Sequence, residues 1–165
     1  MQIQSGGTRC WVFGSSRPLS EEDPILTDRL TRFFSQWNSH GAPVSGRWRV
    51  LDGRFLVVLR EPEGAEVSGC SIDSMVGEVK LLEKELRTRL LDSSRIFYRN
   101  AEGAVEAVDR LEFKALAAEG RISPDTEVFD TTLTRLSDLV PGVFSKPLKD
   151  SWHAVLYGQA VKQPR

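Results

Sequence analysis

Cys70 is the residue best placed for chemistry. It stands between Gly69 and Ser71, at the start of a predicted helix, where free amides and the helix dipole favour a thiolate. His40 would serve as its base and Asp73 as an orienting group, the general logic of an activated nucleophile. Other physics pulls the opposite way. A carboxylate beside a thiol raises the thiol's pKa, and aspartate in a first turn caps free amides. Cysteine at a helix start also packs as a small apolar side chain. His153 is the only other imidazole, and Cys10 the only other thiol. These four residues show neither Cys-x-x-Cys nor His-x-x-x-His spacing, so the sequence predicts no metal site and asks for no cofactor.

A second set of candidates is aromatic and basic. Trp37, Trp48 and Trp152, with Phe97 and Tyr98, have the types for a stacking platform. Arg47, Arg49, Arg54 and Arg60 cluster on a predicted hairpin, and arginines interleaved with an aromatic on an exposed strand bind RNA or phosphorylated ligands. Charges on an edge strand also serve to block sheet-to-sheet pairing. The binding candidates are Trp37, Arg47, Arg49, Trp152 and His153. The 22 Lys and Arg against 23 Asp and Glu leave a net charge of −1. Duplex binding needs a basic excess, so nucleic acid is disfavoured as a partner, and a protein or peptide is expected.

These side chains need elements to hold them. The run Cys10–Phe13 predicts a short strand. A helix follows: Asp23 before Pro24, or Ser20 with Asp23, would cap it, and Leu26, Leu30, Phe33, Phe34 and Trp37 form one stripe. His40 falls in its expected last turn, before Gly41 and Pro43. Asp52-Gly53 between two β-prone runs predicts a hairpin. Residues 55–59 are apolar in succession, as in a strand buried on both faces. Ile72, Met75, Val79, Leu82, Leu86 and Leu90 then trace a helix of about 20 residues, or about 30 Å. On its outer side Glu83 with Arg87, and Glu85 with Arg89, have the favourable spacing.

After residue 92 the texture changes to short strands around Ile96–Arg99, Ala104–Val108 and Thr126–Asp130, with a helix near Phe113. The expected fold is α+β. It has a mixed or antiparallel sheet with two long amphipathic helices, then a smaller ββαβ unit. The division is 1–92 and 93–165, the two parts packed as one body. No apolar run approaches the roughly 20 residues of a membrane span. The polar start, Met1 to Gly7, lacks a signal pattern, and two cysteines make no disulfide framework, so the expected location is the cytoplasm. The tail from Val161 to Arg165 is expected to fray.

Gln36–Gly41 together with Ser68–Asp73, and Asp150–His153 near the end, resemble an uncharacterised family of small bacterial proteins often labelled as ATPases of ABC transporters. That resemblance implies no assigned activity. A P-loop requires Gly-Lys-Ser or Gly-Lys-Thr closing a glycine-rich loop, and neither occurs here, which excludes nucleotide hydrolysis by that route. Residues 96–130 are similar in layout to bacterial GYF-like modules, through Phe97-Tyr98, Phe113 to Leu116, Gly120-Arg121-Ile122, Thr126 and Val128. The Gly-Pro and the downstream tryptophan of those modules are absent, so this resemblance implies a fold and not proline-rich peptide binding. The first expectation for function is therefore a non-catalytic binding or adaptor protein. A thiol-dependent enzyme using Cys70, and RNA binding through the hairpin arginines, are the alternatives.

Overall fold

The computed structural model describes residues 7–162. The expectations for the first six residues and for 163–165 lie outside that range. Among the described residues there are four α-helices and two antiparallel four-stranded sheets. The first sheet runs in the order β1 (Cys10–Gly14), β4 (Phe55–Gly64), β3 (Ala42–Leu51), β2 (Asn38–Ser39). The second runs β6 (Val105–Val108), β5 (Ile96–Arg99), β7 (Glu127–Phe129), β8 (Ser145–Pro147). No helix among the described residues is long and apolar enough to cross a membrane.

Helix α1 (Pro24–Gln36) begins where Asp23 Oδ1 accepts from the Ile25 and Leu26 amides at 2.9 and 3.3 Å, with proline at the first helical position. Leu26 and Leu30 are buried against the first sheet. The helix stops at Trp37, whose backbone is extended. Its indole donates to the Ser71 carbonyl at 2.8 Å, tying the end of α1 to the start of α2 (Gly69–Leu86). Ser68 and Ser71 close a capping box there.

Helix α2 is shorter than its apolar stripe suggests. It ends at Leu86 because Arg87 takes a left-handed conformation at φ 51°. Leu90 still reaches the core, but from the following loop. The expected helical ion pairs do not form: Glu83 Oε2 accepts from the Leu90 and Leu91 amides at 2.7 and 3.0 Å. Glu85 meets Arg29 of α1 at 3.0 Å. Capping a buried loop with a carboxylate stabilises more than an exposed i, i+4 pair, which contributes only about 0.2–0.5 kcal/mol.

Strand β4 is the centre of the assembly, and its Phe55–Val58 segment is buried throughout. Successive side chains point to opposite faces. Leu56 joins the core under α1 and α2, while Phe55 packs against Phe97, Phe129 and Phe144, centroids 5.0, 5.0 and 5.1 Å away. The two sheets therefore meet face to face through phenylalanines. Ile96, Tyr98 and Val128, on the far face of the second sheet, pack with Phe113 of α3 (Arg110–Ala118) and partly buried Leu156 of α4 (Ala154–Lys162). The layers are helices, sheet, sheet, helices. Val161, expected in a frayed tail, belongs to α4.

Polar groups also cross the seam. Arg54 is 6% exposed, and its Nε donates to the Val105 carbonyl at 2.9 Å. Its guanidinium lies 3.7 Å from Glu106. At the end of β1, an added Cβ on Gly14 would stand 2.2 Å from the Phe97 ring. Only the absence of a side chain lets the sheets close to this distance.

Candidate functional site

The thiol candidates are accessible but not assembled. Cys70 is exposed on the first turn of α2, and Asp73 is exposed one turn on. His40 is not in a helix. With Gly41 it forms the two-residue turn between β2 and β3, at φ 52° and 84°. Two successive positive φ angles match a primed hairpin turn, and that local geometry, not helix propagation, governs the segment. No side-chain hydrogen bond among the described residues links Cys70 to His40 or Asp73; the Cys70 carbonyl accepts from Ser74 Oγ at 3.0 Å.

The basic and aromatic candidates do not form one platform. Arg47 and Arg49 are exposed but face carboxylates, Glu61 and Glu21 respectively, the second at 3.7 Å. Arg60 pairs with Glu66 at 2.9 Å and Arg54 with Glu106 at 3.7 Å. Every hairpin arginine thus has a carboxylate in range, which removes the unbalanced positive stripe a phosphate backbone would seek. Trp37 is buried among Trp11, Phe33 and Phe34. Phe97 sits in the seam, and Tyr98 faces α3.

Trp152 and His153 are brought together at the mouth of the seam. A cleft of about 340 Å³ opens there, walled by Phe97, Phe129 and Trp152 and carrying Arg95, Thr132 and His153 as polar groups. The Trp152 indole is 54% exposed and stacks on the His153 ring, centroids 3.7 Å apart and planes 25° from parallel. His153 itself is 2% exposed. Ser151 Oγ accepts the His153 backbone N–H at 3.0 Å and lies 2.6 Å from Nδ1. Ser151 Oγ thus engages Nδ1, and which of the two donates follows the tautomer of the ring. No group among the described residues hydrogen-bonds Nε2. Burial pushes the imidazole down to about 4, against a smaller opposing pull from the Asp130 carboxylate.

No family model, curated protein or solved structure matches this chain.

Arg95 contributes a donor with spare capacity: its buried Nε has no hydrogen-bond acceptor, and Asp92 Oδ2 stands off at 3.5 Å. Thr132 is fixed by Asp130, whose Oδ1 accepts from its amide at 2.9 Å and its hydroxyl at 2.5 Å. These bonds close an Asx turn at the wall of the cleft. Two other hollows are less informative. One of about 270 Å³ lies between α1 and α2. The other, about 490 Å³ over Trp48, is more open and rimmed by the paired Arg47 and Arg49. No cluster of three or more metal-ligating side chains occurs among the described residues.

Sequence reasoning picked out Trp152 and His153 but not Arg95 or Thr132. The Asp130-x-Thr132 spacing was the available signal for a fixed turn. Nothing local marks Arg95, whose role depends on how the sheets meet.

Proposed function

We propose that the chain is a non-catalytic binding protein that takes a protein or peptide partner in the cleft over Trp152 and His153. One observation carries this: a buried imidazole whose Nε2 has no internal partner and lies on a concave, aromatic-walled surface. A hydrogen bond between a ligand and this nitrogen would contribute about 0.5–1.5 kcal/mol. A ring that protonates only near pH 4 is poorly matched to acid–base work at neutral pH, so it serves as a neutral hydrogen-bonding group. The order β5, β6, α3, β7 supports reading the second half as a ββαβ, GYF-like interaction unit. We place the protein in the cytoplasm, where thiols such as Cys10 and Cys70 stay reduced.

The test is a screen of small aromatic amides and acids by protein amide chemical shifts. Bound compounds are expected to move the Trp152 indole N–H and the Thr131 and Thr132 amides. His153→Ala should weaken them about tenfold, the worth of one hydrogen bond to a ligand. A screen that never moves these signals overturns the reading.

The exposure of Cys70 on the first turn of an 18-residue helix favours a second reading, a thiol-dependent enzyme with His40 as its base. Alkylation separates the two. Cys10 is fully buried, and its thiol is pushed up to about 11 by burial and, less, by Asp138. The native protein should therefore take one alkyl group, at Cys70, and a second only after unfolding, as read by intact mass. If Cys70 reacts at a rate that His40→Ala leaves unchanged, the enzyme reading loses its base.

A further inference from the structure

Strand β1 is an edge strand, and its hydrogen-bonding parity is fixed by its neighbours. The Arg60 amide donates to the Arg9 carbonyl at 2.9 Å, and the Ser15 amide to the Arg54 carbonyl at 2.8 Å. In an antiparallel ladder such exchanges recur every second residue. Residues 9, 11, 13 and 15 therefore face β4, while Cys10, Val12 and Gly14 turn their N–H and C=O groups outward.

Part of that outer edge is already paired. The Cys10 amide donates to the Thr134 carbonyl, and the Leu136 amide to the Thr8 carbonyl, both at 2.9 Å, around an antiparallel bridge between Arg9 and Arg135. Continued two residues further, the same ladder would bring residue 132 opposite Val12. It does not continue, because the Thr132 amide is taken by Asp130. The Val12 and Gly14 amides and the Cys10, Val12 and Gly14 carbonyls are left without a backbone or side-chain partner among the described residues. Val12 and Gly14 also line the cleft of Trp152 and His153. The edge is undefended as well: Cys-Trp-Val-Phe-Gly holds none of the charges or prolines that usually prevent strand addition.

We infer that β1 takes an extended peptide as an added strand along Val12 and Gly14, continuing the pairing that Thr134–Leu136 begins. This rests on the binding reading above and specifies how the partner is held. The outward groups repeat every two residues, about 6.8 Å, the spacing of alternate residues in an extended chain. Alternate side chains of the added strand fall on opposite faces. One set meets Phe13 and Leu90 on the helix side; the other enters the cleft between Phe97 and Trp152. The selected partner is a strand with an apolar or aromatic residue at the cleft position. A main-chain polar group beside that residue would hydrogen-bond His153 Nε2. Main-chain bonds supply affinity in this mode, and the pocketed side chain supplies selectivity.

The probe is a phage-displayed library of random linear heptapeptides, panned on the full chain and followed by synthesis of an enriched peptide. Three results are expected. The Val12 and Gly14 amides exchange at least tenfold more slowly with peptide bound. N-methylation of the peptide at every second residue abolishes binding, while the intervening positions tolerate it. Val12→Pro, which deletes one outward N–H, weakens binding at least tenfold; should that variant not fold, the N-methyl scan on the native chain still decides. An enriched peptide that moves Trp152 but leaves Val12 and Gly14 exchange unchanged overturns strand addition and leaves the cleft reading intact. Failure to enrich any peptide, with small aromatics still moving Trp152, does the same. Protection of Val12 and Gly14 that rises with protein concentration, together with a doubled mass by light scattering, overturns the peptide and gives the edge to a second copy of the chain.

Discussion

Replacing Phe55 with alanine is expected to destabilise the protein by about 4 kcal/mol, within the range for large aromatic truncations in a core that cannot collapse. Phe55 is fully buried and touches three other phenylalanine rings, one of which, Phe97, is also pinned by the close approach of Gly14. The surrounding backbone belongs to two sheets, so it has little freedom to close the void. Because the ring belongs to both halves, the loss should be felt by both. Urea unfolding followed by tryptophan fluorescence, which weights Trp11, Trp37 and Trp48 of the first half, should give the same midpoint as far-UV circular dichroism. Two separated transitions, or a loss below about 1 kcal/mol, would show that the seam does not couple the halves and that residues 1–92 and 93–165 fold independently.

Stability should also fall on acidification below about pH 6.5, by up to about 3 kcal/mol at pH 4, through His153. The ring protonates near 4 in the folded chain against an ordinary 6.5. Between those values the unfolded chain binds a proton that the folded chain refuses, so the free energy of unfolding falls as pH drops. Above pH 6.5 the ring is neutral in both states and contributes no pH dependence. The ring is almost wholly inaccessible, so solvent screening takes little away from this effect. His153→Gln should flatten the stability profile between pH 6.5 and 4 and lose the corresponding share of the acid sensitivity. If wild type and variant run parallel over that range, the acid sensitivity comes from the carboxylates instead. Since the same ring faces the cleft, ligand binding at neutral pH and acid stability should move together in variants at position 153.

Much of the fold is legible in the residues, where local physics and tertiary packing agree. Asp23 before Pro24 starts α1 as capping chemistry requires, and Leu26 and Leu30 bury as their spacing predicts. Asp52-Gly53 turns the hairpin at positive φ, and β4 is interior because Phe55–Val58 leave no polar face. That same absence of alternation hid the second sheet: a strand buried on both faces does not say what lies on each side. The helical stripe running to Leu90 misleads for a related reason. A loop residue can fall into the same core as a helical one, and a left-handed Arg87 ends the helix without a glycine to announce it.

The site was less legible, and for a single reason. Trp152 and His153 are recognisable as residue types, but their meaning comes from neighbours at a distance in the chain. Phe97 and Phe129 come from the second sheet and Val12 and Gly14 from the first. His40 shows the converse, since its expected place in the last turn of α1 gives way to a tight turn with Gly41.

The contact between Gly14 and Phe97 has an evolutionary consequence. A methyl group at position 14 cannot coexist with a phenyl ring at position 97 in this arrangement. Any descendant that keeps the seam must keep the glycine or shrink the residue opposite it. The two sites are thus bound to change together or not at all, although 83 positions separate them in the chain. Distant relatives whose sequences have otherwise drifted beyond comparison should still carry that linked choice, and it offers a two-residue signature by which to find them.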